Sequence, residues 1–270
     1  MRGATALRRE LIARGMEVAA TNSFPHELTT GELPSVIFGP NGMGHANFHP
    51  SSYRNILANS GWASRLTKLH NLHRKAWPRA NWRWRELDCA NSSDALLMNI
   101  FCYRRKLTFR PLCSLLGVAG GLIPEFGFEP AVPLRNGKID RTEVDMRLGD
   151  LTVEAKLTES SFPRAPVRLV ERYRDFSEVF DSSGLARSGD LIHNYQLIRG
   201  VLAAGSTGGS FCLLCDARRP DLVENWYSVI RAVMDCALRC RLRLLTWQDL
   251  APSLPDTLQR FLDAKYGIHT

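Results

Sequence analysis

The segment 143–158 constrains the fold more than any other part of this 270-residue chain, because its pattern is that of a β-hairpin. Two runs of alternating polar and apolar residues flank Gly149-Asp150, and glycine in the first central position suits a two-residue type II′ turn. That turn places Asp145 opposite Glu154 and sorts the side chains onto two faces. The apolar face, which we expect to pack on a core, comprises Val144, Met146, Leu148, Leu151, Val153, Ala155 and Leu157.

The opposite face of the hairpin brings two carboxylates together. Residues directly across two strands have Cβ atoms about 4.5–5.5 Å apart, so Asp145 and Glu154 repel each other unless a cation lies between them. Mg²⁺ takes oxygen ligands of this kind and completes its shell with water or substrate phosphate. Lys156 points to the same side, where an ammonium group can orient an attacking water and offset phosphoryl charge.

An Asp followed by eight residues and then Glu-Ala-Lys resembles the core motif of the PD-(D/E)XK nucleases, the restriction-endonuclease-like superfamily. The resemblance implies that Asp145, Glu154 and the Ala155 carbonyl hold Mg²⁺, with Mn²⁺ as a substitute, and that Lys156 assists the nucleophile. Val144 stands where the family name has Pro, a residue that many members lack. The alternative is a half-exposed ribbon with an ordinary Glu143–Lys156 surface pair, and the spacing alone leaves both interpretations open.

The order of elements from residue 92 onward favours the nuclease fold. It reads helix, strand, hairpin, helix, strand, helix, strand, which covers about two thirds of the chain. We therefore expect an α/β fold with a restriction-endonuclease-like core, a central mixed four- to five-stranded sheet flanked by helices, and a helical N-terminal extension. The expected domains are a basic and aromatic extension at 1–88, the nuclease core at 89–250 and a C-terminal helix at 251–270. The expected elements are helices at 1–20, 92–104, 107–116, 167–180, 190–204 and 222–238, and strands at 127–134, 211–215 and 241–246.

The predicted helix at 190–204, with Asp190 as its N-cap, places His193 and Gln196 on one face. Many PD-(D/E)XK enzymes carry a glutamine on the helix after the Glu-X-Lys strand, and Gln196 resembles that residue. The resemblance therefore adds Gln196 to the catalytic group, with accessory roles for Glu86, Glu143 and His193. An ordinary polar helix face is the alternative.

Positive charge is concentrated before the nuclease core. The net charge is +8, and no Asp or Glu occurs between Leu33 and Arg85. This window combines basic residues with aromatic rings, as nucleic-acid-binding segments do. We expect the tryptophans individually to pack in the core. The basic residues predicted to contact nucleic acid are Arg65, Lys68, Arg74, Lys75 and Arg79.

The seven cysteines fit reduced, buried thiols better than disulfides or zinc sites. Cys212 and Cys215 fall on a predicted strand, where residues three apart face opposite sides. No apolar run approaches the roughly 20 residues of a membrane helix, and no secretory signal is evident. We therefore expect a cytoplasmic protein.

With these patterns beside it, the resemblance implies a magnesium-dependent nuclease that hydrolyses DNA phosphodiester bonds with a metal-activated water, in restriction, defence or repair. The alternative is a nucleic-acid-binding protein without catalysis on the same fold, or a structural module. The sequence leaves open whether RNA is also a substrate and whether the chain forms a homodimer.

Overall fold

The computed structural model describes residues 2–42, 44–68, 84–159 and 161–269. The chain separates into two compact units, Met1–Pro124 with Trp247–Thr270, and Glu125–Thr246. Its α-helices are α1 (Arg2–Asn22), α2 (Pro50–Leu57), α3 (Ser60–Ala63), α4 (Ser93–Phe101), α5 (Arg110–Leu116), α6 (Val167–Val170), α7 (Phe176–Val179), α8 (Tyr195–Thr207), α9 (Pro220–Ile230), α10 (Cys236–Arg239), α11 (Trp247–Leu250) and α12 (Asp256–Tyr266). Its strands are β1 (His26–Leu28), β2 (Val36–Phe38), β3 (Pro40–Asn41), β4 (Gly44–His45), β5 (Glu125–Phe128), β6 (Val132–Pro133), β7 (Ile139–Asp140), β8 (Val144–Leu148), β9 (Leu151–Ala155), β10 (Ala165–Pro166), β11 (Arg187–Ser188), β12 (Leu191–Ile192), β13 (Ser210–Cys215) and β14 (Leu242–Thr246).

The unit formed by residues 125–246 is built on a five-stranded sheet with the strand order β14-β13-β9-β8-β5. Strands β9, β13 and β14 run parallel, whereas β8 and β5 are antiparallel to their neighbours. Helices α6 to α8 lie in the crossover from β9 to β13, and α9 and α10 lie in the crossover from β13 to β14. The predicted α/β fold with a mixed sheet flanked by helices is confirmed, and α1 provides the predicted helical N-terminal extension.

The hairpin has the predicted register. Gly149 has a φ of 65°, Asp150 keeps a negative φ, and the pairs run from Leu148 with Leu151 to Met146 with Val153. These are the φ signs of a type II′ turn. The apolar face is fully buried, with no member more than 1% exposed.

Helix α8 packs closely on the sheet because it has a glycine at its point of contact. A Cβ atom at Gly200 would lie 2.4 Å from Cζ of Phe211, which belongs to β13. The ring of Phe211 therefore occupies the space that a side chain at position 200 would need. This close approach holds Gln196, one turn earlier, near the end of β9.

The largest correction to the predicted elements concerns the start of α8. The helix begins at Tyr195, not at Asp190, because Leu191 and Ile192 pair with β10 and β11 instead. Asn194 then takes a left-handed conformation with a φ of 60° before the helix starts. His193 therefore precedes the helix, and the prediction that it shares a helix face with Gln196 is wrong.

Two other predicted helices are interrupted by contacts between distant parts of the chain. The segment 167–180 forms α6 and α7, and the segment 222–238 forms α9 and α10. The Met234 amide donates to the Val179 carbonyl, and the Asp181 amide donates to the Ala232 carbonyl, so main-chain pairing replaces helix continuation here. The first core strand, predicted at 127–134, is also interrupted. Strand β5 ends at Phe128, and β6 forms a separate short strand at Val132–Pro133.

The other unit, residues 1–124 and 247–270, contains the fully buried helix α4. Its N-cap is Ser92, whose hydroxyl accepts a hydrogen bond of 3.1 Å from the Ala95 amide. Trp62 is buried and donates from Nε1 to the Pro124 carbonyl at 2.9 Å, which confirms the core role expected for this tryptophan. The predicted domain boundaries at residues 88 and 250 stay a prediction.

The seven cysteines are all free, and Cys212 and Cys215 are fully buried as predicted, but Cys236 and Cys240 are exposed, so the expected burial is wrong for these two. Among the residues described, no helix is long and apolar enough to cross a membrane.

Candidate active site

Asp145 and Glu154 lie at the edge of the sheet that is formed by the start of β8 and the carboxyl end of β9, where the pairing of these two strands stops. The last paired residues are Met146 and Val153, and one further step of the same register places Asp145 opposite Glu154. The Ala155 amide, which the ladder would direct to β8, donates instead to Oδ2 of Asp145 at 2.7 Å. The Asp145 carboxylate is thereby held against the main chain beside Glu154.

The carboxylate of Glu154 joins strand β9 to helix α8. Glu154 is 1% exposed, and its Oε1 accepts hydrogen bonds from Lys156 Nζ at 2.6 Å and from Gln196 Nε2 at 2.5 Å. Burial of a charged carboxylate is strongly unfavourable unless charged or hydrogen-bonding partners compensate it. The structure therefore brings together Glu154, Lys156 and Gln196, three residues that the sequence predicted as neighbours.

Lys156 is buried and remains positively charged. Burial alone would lower its pKa, but the nearby carboxylates of Glu154, Glu159 and Asp145 raise that pKa well above its ordinary value. The Lys156 ammonium is thus a permanent hydrogen-bond donor at neutral pH. It lies 5.7 Å from the centre of the Phe162 ring, which covers it on another side.

Glu159 is a member of this group that the sequence prediction missed. Its Oε2 accepts a 2.6 Å hydrogen bond from the Leu157 amide, just beyond β9. The available signal was its position as the first acid after Lys156, on the turn that leaves the strand.

The carboxyl end of β13 adds further charged residues at the same sheet edge, since β9 and β13 are parallel. Arg219 is 0% exposed and donates from one terminal nitrogen to the Leu157 carbonyl at 2.9 Å, while its other nitrogens bind Asp221. Arg218 pairs with the buried carboxylate of Asp216 at 2.7 Å. Charged residues directly after a buried strand were the sequence signal for this cluster.

The donor atoms at this edge fit a hard divalent cation. Within the described residues no group of three His, Cys, Asp or Glu side chains is arranged to hold a metal. Asp145 and Glu154 supply two carboxylates, the number that Mg²⁺ commonly takes from a protein, with water and phosphate completing its shell. Both hydrogen bonds to Glu154 fall on Oε1, which leaves Oε2 as its candidate ligand atom.

The accessory residues proposed from the sequence lie in different surroundings. Glu143 precedes β8, and its carbonyl accepts a hydrogen bond from Arg199. His193 bonds through Nε2 to the Ser188 hydroxyl at 2.7 Å. Glu86 belongs to the other unit, where its Oε2 lies 3.1 Å from Lys68 Nζ.

Two basic residues of the acid-free window, Arg65 and Lys68, have acidic neighbours in the folded chain. Arg65 and Lys68 each lie 3.3 Å from Oδ2 of Asp94, which is 7% exposed. Burial raises the pKa of Glu86, and Asp94 raises it further, while Lys68 opposes this shift. Three other residues predicted to contact nucleic acid lie outside the described residues, namely Arg74, Lys75 and Arg79.

The mixed sheet with acids, a lysine and a glutamine at one edge is the arrangement that the restriction-endonuclease-like resemblance implied. A family model described as "REase-ARP: Restriction Endonuclease associating with ARP" matches residues 27–267, and the chain belongs to this family. No curated protein and no solved structure matches the chain. Membership of a restriction endonuclease family indicates a DNA nuclease.

Proposed function

We propose that the chain is a magnesium-dependent nuclease that hydrolyses DNA phosphodiester bonds, with Mn²⁺ as a substitute ion, in restriction, defence or repair. The observation that carries the proposal is the buried Glu154 carboxylate, bonded to Lys156 and Gln196 with Asp145 on the adjacent strand. A merely structural ion pair would need neither a second carboxylate opposite it nor a position at the sheet edge.

Asp145 and Glu154 would hold the ion, with the Ala155 carbonyl as a third donor. A bound Mg²⁺ supplies a Lewis acid for the phosphoryl group and lowers the pKa of water. Lys156 presents a fixed positive charge that orients the nucleophile and offsets charge on the phosphoryl oxygens. Gln196, on α8, hydrogen-bonds to Oε1 of Glu154 and would thereby fix the direction in which Oε2 points.

Substrate binding is assigned to the basic window. Arg65, Lys68, Arg74, Lys75 and Arg79 would neutralise phosphates of the nucleic-acid backbone, which predicts affinity that falls steeply with salt. The family description names an association with ARP, and we propose that this chain forms the same kind of complex.

The test is to incubate the purified protein with plasmid, linear DNA and RNA in Mg²⁺, Mn²⁺ or EDTA, beside an Asp145→Ala variant. Cleavage that needs the ion and is lost in the variant supports the proposal. Salt-sensitive DNA binding without cleavage, with or without the ARP partner present, would favour the non-catalytic binding protein instead.

A further inference from the structure

A buried arginine joins helix α8 to the segment that leads into strand β8. Arg199 is 2% exposed, and its two terminal nitrogens donate to the carbonyls of Thr142 and Glu143, the latter at 3.0 Å. These two residues directly precede β8, whose second residue is Asp145. Arg199 therefore attaches the strand that carries Asp145 to the helix that carries Gln196.

Side-chain hydrogen bonds tie the same segment to the start of α8. Oδ1 of Asp140 accepts from the Thr142 amide at 2.9 Å and from its hydroxyl at 2.6 Å. The Tyr173 hydroxyl donates to Oδ2 of Asp140 and bonds to the Tyr195 hydroxyl at 2.7 Å. Tyr195 is the first residue of α8 and the neighbour of Gln196.

The direction of these hydrogen bonds is fixed by the charge states of the groups. Burial and the bond to Asp140 raise the pKa of Tyr173, so its phenol stays protonated and donates. Burial would raise the pKa of Asp140, but the bonds from Thr142 and Tyr173 lower it overall, so Asp140 stays an acceptor.

Main-chain pairing in the sheet does not hold the start of β8, which carries Asp145, against β9. Strand β5 still pairs with β8 at Val144, but the ladder to β9 has already ended at Met146. Beyond that residue, the Ala155 amide of β9 donates to the side-chain carboxylate of Asp145 and not to the main chain of β8. The placement of Asp145 beside Glu154 thus depends on what holds the segment before β8.

We propose that Arg199 and the chain Asp140–Tyr173–Tyr195 form a positioning network that sets the place of Asp145 relative to Glu154 and Gln196, and thereby the affinity for the divalent cation. The part that concerns the cation rests on the function proposed above. Partners that orient metal ligands typically contribute about 10- to 100-fold to metal affinity.

The test compares Arg199→Met with Arg241→Met. Arg241 also donates to a main-chain carbonyl of the same unit, that of Gly209 at 2.6 Å, but Gly209 precedes β13 and lies at the opposite end of the sheet. Both variants lose one buried or half-buried arginine, so both should unfold at lower temperature. Only Arg199→Met removes the attachment of the β8 segment.

Two measurements separate geometry from catalysis. The first is hydrogen exchange at the Ala155 amide, followed by NMR in metal-free protein, and the second is Mn²⁺ affinity from an EPR titration. We expect Arg199→Met to accelerate Ala155 exchange and to weaken Mn²⁺ binding about 10- to 100-fold, with partial rescue in Arg199→Lys. Arg241→Met should leave both values near those of the parent.

Equal Ala155 exchange in the two variants, after correction for their stability, would overturn the network. If the parent neither binds Mn²⁺ nor cuts DNA, the proposed function fails, and the exchange measurement alone decides the positioning role. Should Arg199→Met not fold, Tyr173→Phe removes one hydroxyl from the network, and the exposed Tyr227 gives the control Tyr227→Phe. Faster Ala155 exchange in Tyr173→Phe alone supports the network, and unchanged exchange contradicts it.

Discussion

Among the residues that the structure describes, two lysines are buried, one in each unit, and their surroundings differ sharply. Lys156 lies among carboxylates, with Glu154 at 2.6 Å, and its pKa is raised despite burial. Lys265 is 2% exposed, and its Nζ has no hydrogen-bond partner within the described ranges. Burial lowers the pKa of Lys265 to about 7.

The comparison shows that burial does not decide the charge of a lysine; its neighbours do. Two aromatic rings face Lys265 Nζ, with their centres at 4.6 Å for Phe38 and 5.2 Å for Tyr266, and such rings attract a cation more weakly than a carboxylate does. Lys156 keeps its charge because the hairpin and the turn after it collect acids around it. An acid-rich edge of this kind is what a divalent cation needs, whereas the surroundings of Lys265 would exclude one.

The largest effect should come from removing the carboxylate that distinguishes the two sites. Glu154→Gln keeps the size of the side chain but removes its charge, so we expect cleavage to fall by about a thousandfold or more, as both ion and Lys156 lose their partner. A plasmid-cleavage assay measures this. Glu125→Gln, which affects an exposed partner of Arg147 in the same sheet, should cut nearly as fast as the parent. Similar loss in both variants would show that general destabilisation is responsible.

Replacing each lysine by methionine sharpens the comparison directly. Lys156→Met removes the positive charge beside Glu154 and should slow cleavage by about a hundredfold. Lys265→Met should leave the cleavage rate within a few-fold of the parent, because no part of the proposed chemistry uses it. Single-turnover rates at saturating Mg²⁺ provide the measurement, and parity between the two variants would remove Lys156 from the mechanism.

Lys265→Met should leave cleavage nearly unchanged, but it should make the folded protein more stable. A buried ammonium without a hydrogen-bond partner is unfavourable, so we expect Lys265→Met to raise the free energy of unfolding by about 1–3 kcal/mol at neutral pH. Urea unfolding followed by tryptophan fluorescence tests this. A loss of stability would mean that the amine has a favourable partner in solution, such as a buried water.

The gain in stability from Lys265→Met should also depend on pH. Lys265 has a pKa of about 7 in the folded protein, against roughly 10.4 in the unfolded chain. Between these values the unfolded chain holds more protons, so the parent becomes more stable as pH rises through this window. The advantage of Lys265→Met should therefore be largest at pH 7 and below, and should shrink toward pH 10. An advantage that is independent of pH from 7 to 10 would contradict the lowered pKa.

The sequence predicted the parts of the site that depend on local patterns. The period of two along β8 and β9, with glycine in the turn, was sufficient for the register and for the place of Asp145 and Glu154. Gln196 was also expected near Glu154, although its helix starts five residues later than predicted. The error arose because Asp190 is a good helix N-cap by residue type, while pairing of Leu191 and Ile192 with β10 and β11 decides the local conformation.

Contacts between distant residues were beyond the reach of pattern analysis. The window from 33 to 85 contains no acid in sequence, yet Arg65 and Lys68 meet Asp94 and Glu86 from outside it. No pattern in the sequence singled out Arg199, because its carbonyl acceptors lie 56 and 57 residues earlier. Main-chain acceptors leave no trace in a sequence, so no motif could have indicated this role.

The two-residue turn at Gly149 has a consequence for how such chains can diverge. Lengthening the hairpin by one residue in each strand keeps the two acids face to face and widens their spacing by two, whereas a single inserted residue sends one acid to the buried side. Related chains without a bulge should therefore separate their acids by an even number of residues. This parity rule could serve as a filter when distant homologues are sought by sequence alone.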